Sequence, residues 1–171
     1  QSNQLADFSA PVTLTSAGRM ELNGRNDTIG GSDTQNALIM QAAAVVDLGG
    51  GNLVLNGNIL TSAANGMGLW TPVATARIVN GTLNLGAVPR LIDSGNDRSE
   101  LPYELEISAA LAGTAGFVQH PTNTATMLFS GNSTGLSGEV YRGGGNLAVG
   151  SDTAFGTGIV FINGGHLTTY Y

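Results

Sequence analysis

One short pattern recurs along this chain: a small residue, an apolar residue two positions on, a second apolar residue two further, and usually a glycine soon after. It reads Gly18–Met20–Leu22–Gly24, then Gly51–Leu53–Leu55–Gly57 and Gly81–Leu83–Leu85–Gly86. Later copies are Ala125–Met127–Phe129–Gly131 and Gly145–Leu147–Val149–Gly150, with Gly165–Leu167 opening another. Tyr103–Leu105–Ile107–Ala109 fits with Tyr and Ala in place of the glycines. Internal repeats rank above every other signal, because each repeat is one structural unit that buries its apolar face only against its neighbours. The apolar positions alternate, which is the period of a strand; a helix needs them three and four apart.

The spacing narrows the fold. First positions at 81, 103, 125, 145 and 165 give steps of 22, 22, 20 and 20, whereas 18, 51 and 81 give 33 and 30, as if loops were inserted or a weak copy intervened. A strand at each such step, burying the same face, predicts one coil of a solenoid per repeat, with parallel neighbours about 4.8 Å apart. The expected fold class is all-β, a right-handed parallel β-helix with coils of about 20–22 residues; the alternative is an antiparallel β-sandwich, since Asn-Gly pairs such as Asn23-Gly24, Asn56-Gly57, Asn80-Gly81 and Asn163-Gly164 also suit hairpins. In the solenoid those pairs turn corners, where φ is often positive. Met20, Leu22, Leu53, Leu55, Leu83, Leu85, Leu105, Ile107, Met127, Phe129, Leu147, Val149 and Leu167 then form one inward column. Val12 with Leu14, Val45 with Val46, and Ile159 with Phe161 supply a second wall. A single domain, 1–171, is expected, with the polar stretch 87–102 as an inserted loop.

Composition excludes several functions. Only 11% of residues are charged, against about 25% in ordinary domains. The six cations, all Arg, leave a net charge of −6, so nucleic acid is not an expected partner. No run approaches the ~18 apolar residues of a spanning helix, so no membrane insertion is expected within the chain. Cysteine is absent, which removes thiol chemistry and Cys-based metal sites. The chain starts at Gln1 and reads as a processed piece of a longer exported protein.

Over 105–167 the text resembles the autotransporter-associated β-strand repeat. The matching segments begin Leu105-Glu-Ile-Ser-Ala-Ala-Leu-Ala-Gly113 and Met127-Leu-Phe-Ser-Gly-Asn-Ser-Thr-Gly135. They continue Gly144-Gly-Asn-Leu-Ala-Val-Gly-Ser151, Ala154-Phe-Gly-Thr-Gly158 and Asn163-Gly-Gly-His-Leu167, with weaker copies at 49–57 and 77–86. The resemblance implies a parallel β-helix in the passenger part of a large exported bacterial protein, held on or released from the outer surface. It implies a scaffold with no catalytic residues to carry over.

Chemistry-bearing residues are few. His120 and His166 are the two histidines and read as solvated imidazoles. Glu104 and Glu106 alternate with inward Leu105 and Ile107, so both face outward about 6.6–7 Å apart, near the separation of paired glycosidase carboxylates. In the stacked register their neighbours are Thr82, Asn84, Thr126 and Leu128, with no cation, so a solvated face is the expectation. Asp93–Glu100 is the densest charge cluster, a surface loop that suits a partner or, through its acids, Ca²⁺. Asn26, Asn80 and Asn132 head Asn-x-Ser/Thr triplets of the kind that arise by chance in such text, and Trp70 reads as a core cap. No catalytic, cofactor-binding or metal-binding residue and no cofactor is assigned. The expected function is a structural or adhesive element, not an enzyme, outside the cell or on the bacterial outer surface. The alternatives are a self-assembling subunit of an extracellular fibre, then a polysaccharide-binding or polysaccharide-cleaving β-helix. The expected partners are a host or neighbouring-cell surface, glycans, or copies of itself end to end.

Overall fold

Alternating apolar residues punctuated by glycine build nineteen short β-strands and no helix among the described residues. A computed structural model describes residues 5, 10–31, 33, 35–62, 74–94, 102–120 and 125–170. The strands fall into rounds. The first holds β1 (Val12–Leu14), β2 (Arg19–Glu21) and β3 (Asp27–Ile29). The second holds β4 (Asn36–Gln41), β5 (Val45–Asp47) and β6 (Asn52–Leu55), and the third β7 (Asn58–Ser62), β8 (Ala76–Val79) and β9 (Thr82–Asn84). The fourth holds β10 (Arg90–Ser94), β11 (Leu105–Ile107) and β12 (Ala110–Gly113), and the fifth β13 (Phe117–Gln119), β14 (Thr126–Phe129) and β15 (Gly135–Leu136). Two rounds of two strands follow: β16 (Val140–Arg142) with β17 (Asn146–Val149), then β18 (Val160–Ile162) with β19 (His166–Thr169).

Through β15 successive strands visit three sheets in constant order, and the last two rounds visit the first and second sheets. The first sheet runs β1-β4-β7-β10-β13-β16-β18, the second β2-β5-β8-β11-β14-β17-β19 and the third β3-β6-β9-β12-β15. Every pairing among the described residues is parallel, which no antiparallel sandwich allows. Parallel strands need a crossover, and here the other two sheets provide it.

The register corrects the single inward column. Leu105, Met127, Leu147 and Leu167 do stack in the second sheet, as do Ile107, Phe129 and Val149, at the expected steps of 22, 20 and 20. Leu53 and Leu83 instead stack on Leu111 in the third sheet. The expected second wall also divides: Val12, Leu14 and Phe161 lie in the first sheet, Val45 and Val46 in the second. Any flat wall that ends at a corner produces alternating apolar residues followed by glycine, so the pattern marks a strand without saying which sheet it joins. The stretch 87–102 contains β10, a strand with partners on both sides, where a loop was expected; residues 95–101 lie outside the described residues.

The interior is apolar. Ile29, Leu38, Val46, Leu53, Ile78, Leu83, Leu111 and Leu147 have no more than 1% of their surface exposed. Phe117 stacks on Phe129 with centroids 5.0 Å apart, and Phe155 closes the cluster at 5.4 Å from Phe129. Each such side chain contributes roughly 1.5–3 kcal/mol on burial. Asn23 and Asn80 take positive φ, 51° and 61°, as their Asn-Gly corners require. Gly51 is needed for a different reason: a Cβ there would overlap the carbonyl oxygen of Arg25 in the preceding round.

Candidate functional site

Polar side chains that could act on a ligand are mostly committed to the scaffold. Glu104 is buried, and its Oε2 accepts the backbone N–H of Thr126 at 2.7 Å. Glu106 is half-buried and pairs with Arg77 at 2.9 Å, because β8 lies directly against β11. The expected neighbours Thr126 and Leu128 are present, but Arg77 stands where Asn84 was expected. An exposed side chain bears that pair, so its contribution is no more than about 1 kcal/mol. Buried Arg90 donates from Nη1 to Asp33 Oδ1 and from Nε to the Leu85 carbonyl at 2.9 Å. Asp27, also buried, accepts the N–H of Leu5 at 3.1 Å and closes the start of the third sheet.

The sequon asparagines bond to residues of neighbouring rounds. Asn26 Oδ1 accepts Asn52 N–H at 3.0 Å, Asn80 Nδ2 donates to Asp47 Oδ1 at 3.1 Å, and Asn132 Oδ1 accepts the Thr153 hydroxyl at 2.8 Å. His120 follows β13 and His166 opens β19, and no group of three metal-ligating side chains forms among the described residues. Of Asp93–Glu100, Asp93 and Ser94 end β10 and the remainder lies outside the described residues, as does Trp70.

Described residues line two surface concavities. One, of about 470 Å³, lies where the third sheet turns into the first. Val118, Tyr141, Thr114, Ser137 and Glu139 are among the residues that line it. Tyr141 stacks on Phe161 of the next round with centroids 4.4 Å apart and planes 12° apart. The other, of about 320 Å³, lies on the outer face of the second sheet. Its floor is a register column, Thr126, Asn146 and His166, one residue from each of three successive rounds. Ala148 and Thr168, paired two positions along, extend the floor. Asn146 Nδ2 donates to Thr126 Oγ1 at 3.3 Å.

Tyr103 and Tyr170 complete this second cleft, meeting edge to face with centroids 5.3 Å apart and planes at 88°. Burial pushes the Tyr103 phenol up to about 12, helped by its hydrogen bond with Tyr170 and by the charges of Tyr170 and Glu106. It therefore stays a neutral donor at any physiological pH. Comparison of the chain with models of known families, with curated proteins and with solved structures found no match.

The repeat of inward apolar residues points to neither pair of aromatics. The signal was present: Tyr141 and Phe161 are 20 apart, as are Thr126, Asn146 and His166, the same step that governs the inward residues.

Proposed function

We propose that this chain is a stretch of right-handed parallel β-helix from the surface-displayed passenger of an exported bacterial protein, acting as a rigid adhesive scaffold and not as an enzyme. The observation that supports it best is the stacking of parallel strands round upon round, in three sheets over the first five rounds and two over the last two, a design whose length grows by adding rounds. The resemblance of 105–167 to the autotransporter-associated repeat points the same way. So does the state of the acids: Glu104 and Glu106, the nearest thing to a glycosidase pair, are held by Thr126 and Arg77. A charge-poor outer face also suits stacking, since like charges one round apart would repel at about 4.8 Å.

The test is location. An epitope placed in the gene of the producing bacterium should be reached by antibody on intact cells, or be found in the medium. Signal that appears only after permeabilisation refutes the surface scaffold.

A further inference from the structure

We propose that the cleft on the outer face of the second sheet binds a neutral glycan, with a sugar ring seated over the Thr126–Asn146–His166 column and gripped by Tyr103 and Tyr170. The inference names the ligand class of the adhesive reading and rests on it for its biological sense, but binding in solution tests it separately.

The character of the lining selects the ligand. Threonine hydroxyl, asparagine amide and phenol each donate and accept hydrogen bonds. Sugar hydroxyls do both as well, so every contact can be satisfied in either direction. Among the described residues no Asp, Glu, Lys or Arg lines the cleft, so none of them there would neutralise a charged ligand. The chain's net charge of −6 adds repulsion against anions. The C–H face of a pyranose is apolar and packs on an aromatic ring, and the rings of Tyr103 and Tyr170, perpendicular to each other, both line the cleft.

Size and spacing agree. A volume of about 320 Å³ sits at the low end of the about 300–1,000 Å³ typical of small-ligand pockets, enough for one ring with its neighbours projecting. Successive rounds lie about 4.8 Å apart, close to the length of one pyranose unit, so a linear glycan laid along the axis meets a fresh polar row at each unit. An extended peptide would bind through main-chain groups at a free strand edge. Here β14 and β17 are paired on both sides, whereas β19 ends the sheet and is paired on one side among the described residues, so an octapeptide probe tests strand addition at that edge.

The experiment uses the purified chain and four probes: tetrasaccharides of glucose, N-acetylglucosamine and galacturonate, and an uncharged octapeptide. Calorimetry and ligand-observed NMR should show at least one neutral tetrasaccharide binding with Kd at or below about 1 mM. Tyr103→Ala and Asn146→Asp should each weaken it at least about tenfold, with circular dichroism unchanged; Glu139→Gln, in the other concavity, should leave it intact. The site is refuted if no neutral sugar binds by about 10 mM, if the galacturonate or the peptide binds instead, or if binding survives both cleft variants. Surface display with no sugar binding removes this site alone; sugar binding by a protein confined inside the cell removes the scaffold reading alone.

Discussion

Gln119 and Arg142 sit directly opposite each other in adjacent rounds of the first sheet, both pointing inward with no exposed surface. The column they interrupt runs Leu38, Ile59, Ile92, Gln119, Arg142, Ile162. Arg142 donates from Nη1 and Nη2 to the carbonyls of Gly164 and Gly145, bridging two successive corners, and burial lowers its pKa. The Gln119 amide and Arg142 Nε have no hydrogen-bond partner among the described residues.

The two residues should therefore respond oppositely to substitution. Gln119→Leu removes an unsatisfied buried amide and should raise stability by about 1 kcal/mol. Arg142→Ala leaves a cavity and two uncapped carbonyls and should lower it by about 2–4 kcal/mol. Urea denaturation reads both, and a shift in the same direction for both variants counts against this account.

Register can be tested covalently, because the chain has no cysteine. Thr82 is paired with Ala110, a separation within the about 4.4–6.8 Å Cα range that a disulfide spans. Thr82→Cys with Ala110→Cys should oxidise to an intramolecular bridge, seen as the absence of free thiol under non-reducing conditions. Thr82→Cys with Glu104→Cys should not, although equal 22-residue steps from 81 to 103 would align those two. Bridging of the second pair would overturn the assignment of Leu83 to the third sheet.

Close approach between rounds makes Gly51→Ala costly. The added methyl meets the Arg25 carbonyl, which is backbone and cannot swing away. A loss of about 1–3 kcal/mol is expected, read as a lower urea midpoint; an unchanged midpoint would show that the rounds are less tightly nested.

Alkaline pH should destabilise the protein through Tyr103. Its folded pKa of about 12 lies above the unfolded value of about 10. The stabilisation is complete below pH 10, and it is lost as pH rises towards 12 because the unfolded chain releases that proton first. Denaturation midpoints at pH 9 and about 11 should fall less in Tyr103→Phe than in the parent chain. Equal falls would place the alkaline sensitivity elsewhere.

Alternation and glycine punctuation told where strands form. They located β6, β9, β11, β14, β17 and β19, and for the last four of these the equal steps also gave the true register. β10 was hidden because Arg90-Leu-Ile-Asp-Ser94 is polar at both ends; its buried Arg90 is accommodated by the Leu85 carbonyl and by Asp33, 57 residues earlier. The partner of Glu106 was missed for a related reason: rounds of unequal length bring Arg77, not Thr82 or Asn84, alongside it.

Local text was thus enough for the all-β class, the parallel repeat in the last third of the chain and the corner residues, since pleat and turn are short-range consequences of side-chain size, polarity and φ. Which sheet each strand joins depends on how many residues each corner consumes. The same holds for the cleft between Tyr103 and Tyr170 and for the burial of Gln119 against Arg142. Those arrangements arise from summing lengths around closed rounds, a long-range constraint that only the folded chain resolves.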